Sequence, residues 1–220
     1  MTCIKICGIK EETHALMLAG AGVDYIGLVF AESPRQITPA RAKKIIAALK
    51  ESGAKTEVVG VFVNTPTEKI NRIADSCRLD RIQLNGDEPW ELCRNLNRPV
   101  IKVIRVSCNY RTEQIYGNMA YGANILKPQD CRFLLDSNAP DRYGGTGKTF
   151  DWNLAKMIAE KFPVIIAGGL NPKNVAEAIK IISPWGVDVS SGVETKGAKD
   201  LDKIMKFIKA VREADGSSSE

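Results

Sequence analysis

No apolar run in this sequence approaches the roughly 18 residues that cross a bilayer. A membrane span is therefore not expected. The opening Met1-Thr2-Cys3-Ile4-Lys5-Ile6-Cys7 lacks the basic head, apolar middle and small-residue cleavage site of a secretory signal, so the expected location is the cytoplasm. Only one histidine, His14, is present, and it falls inside a helical pattern. With no second histidine to serve as base, a Ser-His-Asp triad is not expected in this chain. The six cysteines form no CxxC pair and have no metal-ligand spacing with the histidine, so no metal site is expected. In a chain without an export signal they read as reduced core residues. Net charge is +5, but Lys and Arg alternate with Asp and Glu instead of forming a stripe or tail, so nucleic-acid binding is not indicated.

What is present is a globular composition, with a hydrophobic share of 44% and a charged share of 26%. Short β-branched runs recur at residues 4–7, 25–30, 57–63, 81–84, 100–106, 131–135, 164–167 and 187–190. Between them, apolar residues follow helical spacing: Ala42, Ile45, Ile46 and Leu49; Ile70, Ile73, Ala74 and Cys77; Val175, Ala178, Ile179 and Ile182; and Leu201, Ile204, Met205 and Ile208. Thr38-Pro39, Thr65-Pro66 and Asn171-Pro172 each offer an N-cap side chain followed by proline, and Glu68 would complete a capping box with Thr65. Eight alternating strand–helix units are the number that closes a (β/α)8 TIM barrel. The alternative, a doubly wound open sheet, usually carries GxGxxG after its first strand, where this chain has Cys7-Gly8-Ile9-Lys10. The expected organisation is one barrel domain over residues 1–213 and a disordered polar tail over 214–220.

Three glycine-bearing loops follow the sixth, seventh and eighth strands: Gly144-Gly145-Thr146-Gly147, Ala167-Gly168-Gly169-Leu170 and Ser190-Ser191-Gly192-Val193-Glu194. Glycines also end strands as ordinary turns. In barrels, however, loops after strands seven and eight frequently hold phosphate with backbone N–H groups. Gly147-Lys148-Thr149 is not the end of a Walker A loop, because Arg142 occupies the place of its first glycine.

Cys7 ends the first strand and Asp136 ends the sixth, which in a barrel puts both at the carboxyl mouth where barrel enzymes place catalytic groups. A buried core cysteine and a turn-forming aspartate are the other readings of these two residues. Arg35, in Glu32-Ser33-Pro34-Arg35-Gln36, is either a carboxylate fork or an exposed loop arginine. Strand parity puts Lys5 on the side of Cys7 and Asp188 on the side of Ser190. Strands one and eight are neighbours in a closed barrel, so Lys5 and Asp188 are predicted to face inward and pair.

As an ordered set, Lys5-Ile6-Cys7-Gly8-Ile9, Gly27-Leu28-Val29-Phe30 with Ser33-Pro34-Arg35, Gly60-Val61-Phe62-Val63, Ile82-Gln83-Leu84, Leu134-Leu135-Asp136, Gly144-Gly145-Thr146-Gly147 with Phe150-Asp151-Trp152, Ala167-Gly168-Gly169-Leu170 and Asp188-Val189-Ser190-Ser191-Gly192-Val193-Glu194 resemble one family. It is phosphoribosylanthranilate isomerase, a (β/α)8 enzyme of tryptophan biosynthesis. The resemblance implies an Amadori rearrangement of N-(5-phosphoribosyl)anthranilate, an aldose–ketose isomerisation without metal or organic cofactor, by a monomer or homodimer. It casts Asp136 as the general acid that opens the ribose ring and Cys7 as the general base that takes the C2 proton. Arg35 matches the anthranilate-carboxylate contact. Gly145, Gly147, Gly168, Gly169, Ser190, Ser191 and Gly192 match the phosphate grip. One departure is Asn85, where the family usually has histidine; asparagine hydrogen-bonds but does not titrate near neutrality, and activity is expected to survive. The sister isomerase of histidine biosynthesis typically has aspartate at the position of Cys7. A phosphate-binding barrel without catalysis is the reading from a different class.

Overall fold

The computed structural model describes residues 1–106, 112–126, 131–137 and 152–216. Eight strands, β1 (Cys3–Cys7), β2 (Tyr25–Val29), β3 (Glu57–Phe62), β4 (Arg81–Leu84), β5 (Val100–Val106), β6 (Cys131–Ser137), β7 (Val164–Ala167) and β8 (Gly186–Val189), are hydrogen-bonded in chain order as a closed barrel. The helices that alternate with them are α1 (Glu12–Gly20), α2 (Pro39–Glu51), α3 (Thr67–Cys77), α4 (Trp90–Cys93), α5 (Thr112–Ile125), α6 (Trp152–Ala159), α7 (Val175–Ile182) and α8 (Leu201–Gly216). This is the (β/α)8 architecture expected from strict alternation. Strands such as β2, Tyr-Ile-Gly-Leu-Val, are buried at every residue, as parallel strands covered on both faces must be. No helix among the described residues is long and apolar enough to cross a membrane.

Two compact units make up the chain, one of Ile6–Val103 and Ala120–Arg132, the other of Met1–Lys5, Ile104–Met119 and Phe133–Glu220. In the first, the stripes predicted on α2 and α3 are the residues each helix buries. Thr38 caps α2 by accepting from Arg41 N at 3.2 Å, with Pro39 opening the helix. The capping box predicted at Thr65 does not form. The Thr65 hydroxyl donates to the Val63 carbonyl, and α3 starts at Thr67 with Pro66 before it. The N-cap position is held by Pro66, which has no side-chain acceptor, and Thr65 lies one residue too early to fill it.

In the second unit, α7 buries Val175, Ala178, Ile179 and Ile182 as predicted. Asn171 Oδ1 accepts from Lys173 N at 2.9 Å, so it caps a turn that leads into α7 and not the helix itself, whose N-cap is Asn174. On α8 the buried face is Ile204, Phe207, Ile208, Val211 and Ala214, and Met205 is exposed. Phe207 and Val211 draw the face about one residue's rotation away from the predicted stripe. Helix α8 also runs through Ala214, Asp215 and Gly216, the first residues of the expected polar tail. Asp215 is tied down there by accepting from Thr2 N at 2.9 Å and Thr2 Oγ1 at 2.6 Å. Residues 217–220 lie outside the described residues.

Candidate active site

In the unit that begins at Ile6, Cys7 is the last residue of β1 and only 8% exposed. Gly27 on β2 makes room for it, because a Cβ there would stand 2.8 Å from Cys7 Sγ. Gly8 turns the chain out of β1 with φ of +83° and donates its N–H to the Gly27 carbonyl at 2.9 Å. A side chain at Gly8 would meet Arg35 Cδ at 2.6 Å, so the arginine stem lies directly over this turn. Arg35 is positioned from its own loop, where its N–H donates to Ser33 Oγ at 3.1 Å and Gln36 bridges to Val29. Cys7 and Arg35 are thus brought together through Gly8. The guanidinium presents a planar fork of five donors suited to a carboxylate.

The same unit contains a clasp that sequence reasoning missed. Glu88, in the loop after β4, is buried and accepts from Lys102 Nζ at 3.0 Å, Asn64 N at 2.8 Å and Gly86 N at 3.0 Å. Asn64 has φ of +46° and returns a bond, its Oδ1 accepting from Asp87 N at 2.8 Å. Asn85, just after β4, donates its N–H to the Phe62 carbonyl at 2.9 Å, and its Oδ1 accepts from Gln83 Nε2 at 3.2 Å. The available signal was Lys102, a lysine inside a β-branched strand.

In the other unit, Asp136 lies near the carboxyl end of β6, opposite Ala167 of β7. Burial pushes its carboxyl up to about 7, the nearby Asp188 carboxylate adds to the rise, and Arg105 and Lys5 oppose it. Lys5 is fully buried and donates to Asp188 Oδ1 at 2.8 Å, the pairing that strand parity predicted. Strand β1 is separated from β6 by β7 and β8 in the barrel order, and the Lys5 charge still reaches Asp136. A carboxyl titrating near neutrality is suited to delivering a proton at physiological pH.

Two of the three glycine loops are also in this unit. Gly168 and Gly169 leave β7 with φ of +85° and +71°, and the Gly169 carbonyl accepts from Asn171 Nδ2 at 3.2 Å and Asn174 Nδ2 at 3.1 Å. After β8, Ser190 leads into a single 3-10 turn at Ser191–Val193. A Cβ on Gly192 would stand 1.9 Å from the Leu170 carbonyl oxygen, so the two loops are in backbone contact that only glycine permits. A third element, not anticipated from sequence, braces them. The hairpin β9 (Glu194–Thr195) and β10 (Ala198–Lys199) turns at Lys196 and Gly197, both with positive φ, and sets Lys199 opposite Glu194. Lys199 Nζ then donates to Glu194 Oε1 at 2.8 Å and the Ser190 carbonyl at 2.9 Å. Gly145 and Gly147 lie outside the described residues. The five described cysteines, Cys3, Cys7, Cys77, Cys93 and Cys131, are in no disulfide with one another, and all but Cys3 are buried.

Comparison with known proteins identifies the family of the chain. Residues 4–210 match the family model described as N-(5'phosphoribosyl)anthranilate (PRA) isomerase. An N-(5'-phosphoribosyl)anthranilate isomerase of Dehalococcoides mccartyi is 48% identical over 213 residues, covering 97% of each chain. The crystal structure of phosphoribosyl anthranilate isomerase from Thermotoga maritima superposes with a TM-score of 0.82 at 39% identity, over 97% of this chain and 100% of that one. A second structure, of the isomerase in complex with reduced 1-(o-carboxyphenylamino)-1-deoxyribulose 5-phosphate, gives 0.79 at 37% identity with the same coverage. With a family model matched over residues 4–210, a relative at 48% identity and two superposable structures at 37–39% identity, the chain belongs to the N-(5'-phosphoribosyl)anthranilate isomerase family.

Proposed function

We propose that the chain rearranges N-(5-phosphoribosyl)anthranilate to 1-(2-carboxyphenylamino)-1-deoxyribulose 5-phosphate in tryptophan biosynthesis, with Asp136 as general acid and Cys7 as general base. The observation that carries the reading is Asp136 itself, a strand-end carboxyl that keeps its proton up to about pH 7. In the first step that proton passes to the ribose ring oxygen as the C1–O bond breaks and the anilino nitrogen becomes a protonated Schiff base. Cys7, as thiolate, then takes the C2 proton. The C2–H electron pair forms the C1–C2 double bond of an enolamine, which tautomerises to the ketose.

Arg35 is the contact for the anthranilate carboxylate. The phosphate is held by the loops at Gly168, Gly169, Ser190, Ser191 and Gly192, together with Gly145 and Gly147. Anchoring one anion at each end fixes the sugar carbons between acid and base. No step calls for a metal or organic cofactor. The proposal places the enzyme in the cytoplasm as a monomer or homodimer, and a related Thermotoga maritima isomerase is described as dimeric. Light scattering decides between the two states.

The test is steady-state turnover of the anthranilate substrate by wild type, Cys7→Ala and Asp136→Asn. Each substitution is expected to lower kcat by about 10²–10⁴-fold, the usual contribution of one positioned acid or base. Equal rates in all three would overturn the assignment.

A further inference from the structure

Within one compact unit, Asp136 of β6 pairs in register with Ala167 of β7, and the β7–β8 register of Ile166 with Val187 runs on to set Asp188 beside Ala167, so the two carboxyl residues flank one alanine on the same side of the sheet; Lys5 on β1 and Arg105 on β5 are the cations whose charges reach Asp136. Strand β7 adds only Ala167, which is opposite Asp136 and uncharged. Lys5 has no exposed surface and Asp188 is buried with it, their atoms 2.8 Å apart. Removing two charges from water is expensive, so such a pair is a weak source of stability. Its larger consequence is electrostatic, because a charge fixed in a low-dielectric interior acts strongly on any ionisable neighbour.

We propose that Lys5 and Asp188 are positioning residues for the reaction's acid: the lysine anchors the Asp188 carboxylate beside Asp136, and that fixed negative charge keeps the proton on Asp136 until the sugar takes it. The inference rests on the acid role of Asp136 proposed above. Lys5 plays two opposing parts. Its own charge favours ionised Asp136, while its bond holds in place the carboxylate that disfavours it. Arg105 works with the Lys5 charge and keeps the carboxyl from rising beyond the range where it is useful as an acid.

The test is direct titration of the Asp136 side chain by carboxyl carbon NMR on the full-length enzyme, in wild type, Asp188→Asn and Arg105→Gln. The midpoint is expected to fall by about one pH unit in Asp188→Asn, the low end of what a neighbouring charge produces, and to rise in Arg105→Gln. A purely structural pair would leave both midpoints at the wild-type value, and that result would overturn the proposal. Wild type alone supplies a check that needs no variant to fold. The Asp188 carboxyl carbon should show an inflection at the Asp136 midpoint, and a flat response there would equally contradict the coupling. The two proposals fail separately. An unmoved titration with an inactive Asp136→Asn overturns the positioning role only, whereas a moved titration with a fully active Asp136→Asn overturns the catalytic role only.

Discussion

Two of the buried lysine–carboxylate pairs, one taken from each compact unit, are chemically alike and do different things. Lys102 and Glu88 meet at 3.0 Å, and Lys5 and Asp188 at 2.8 Å, each pair almost wholly removed from water. Glu88 also accepts the N–H groups of Asn64 and Gly86, so its charge is spent on fixing the backbone of two loops. Asp188 instead stands near a second carboxyl, and its charge raises that neighbour's proton affinity. A buried ion pair is thus defined less by its own geometry than by the third group it faces: backbone donors make a clasp, an ionisable side chain makes a tuned acid.

The comparison breaks most visibly at the clasp. Glu88→Leu leaves the Lys102 charge and two N–H groups buried without their acceptor, and urea unfolding is expected to show a loss of about 5 kcal/mol. A loss under about 1 kcal/mol would mean the clasp is ornamental. At the other pair, the effect has the opposite sign. Asp136 is raised from 3.8 to about 7, so the native state binds more protons than the unfolded chain across that window. Stability falls as pH rises from about 4 to about 7, and the lost contribution is on the order of 4 kcal/mol. Asp136→Asn is therefore expected to be more stable than wild type at pH 8 by up to that amount and no more stable below pH 4, as measured by thermal unfolding across pH.

A smaller perturbation leaves both pairs intact. Gly192→Ala drives a methyl group into the Leu170 carbonyl, separating the two described glycine loops. The expected cost is about 1–3 kcal/mol of overpacking, accompanied by a raised KM for the phosphorylated substrate. If KM is unchanged while stability drops, loop contact matters to the fold but not to the phosphate.

The same contrast explains what could be read from sequence. The Lys5–Asp188 pair was legible because the two-residue period of a strand fixes which side a residue faces and closure makes strands one and eight neighbours. Glu88 was not, because it sits in a loop with no period, and nothing local links it to Lys102 eighteen positions from Leu84's strand end or to Asn64. The clasp exists only once β3, β4 and β5 are side by side. The α2, α3 and α7 faces were read correctly from one clean stripe each. On α8 two apolar stripes overlap, and Phe207 and Val211 decided between them by packing. The placement of Asp136 at a strand end followed from chain order, but its proton affinity is a tertiary property, set by burial and by a carboxylate fifty-two residues away.

The acid role proposed for Asp136 depends on that proton. Carboxyl carbon NMR of Asp136 in the wild-type enzyme reads it directly. The result expected is a midpoint near 7, moved down by Asp188→Asn. A midpoint near 4, the ordinary value for an aspartate in water, would contradict both the acid and the pair that positions it.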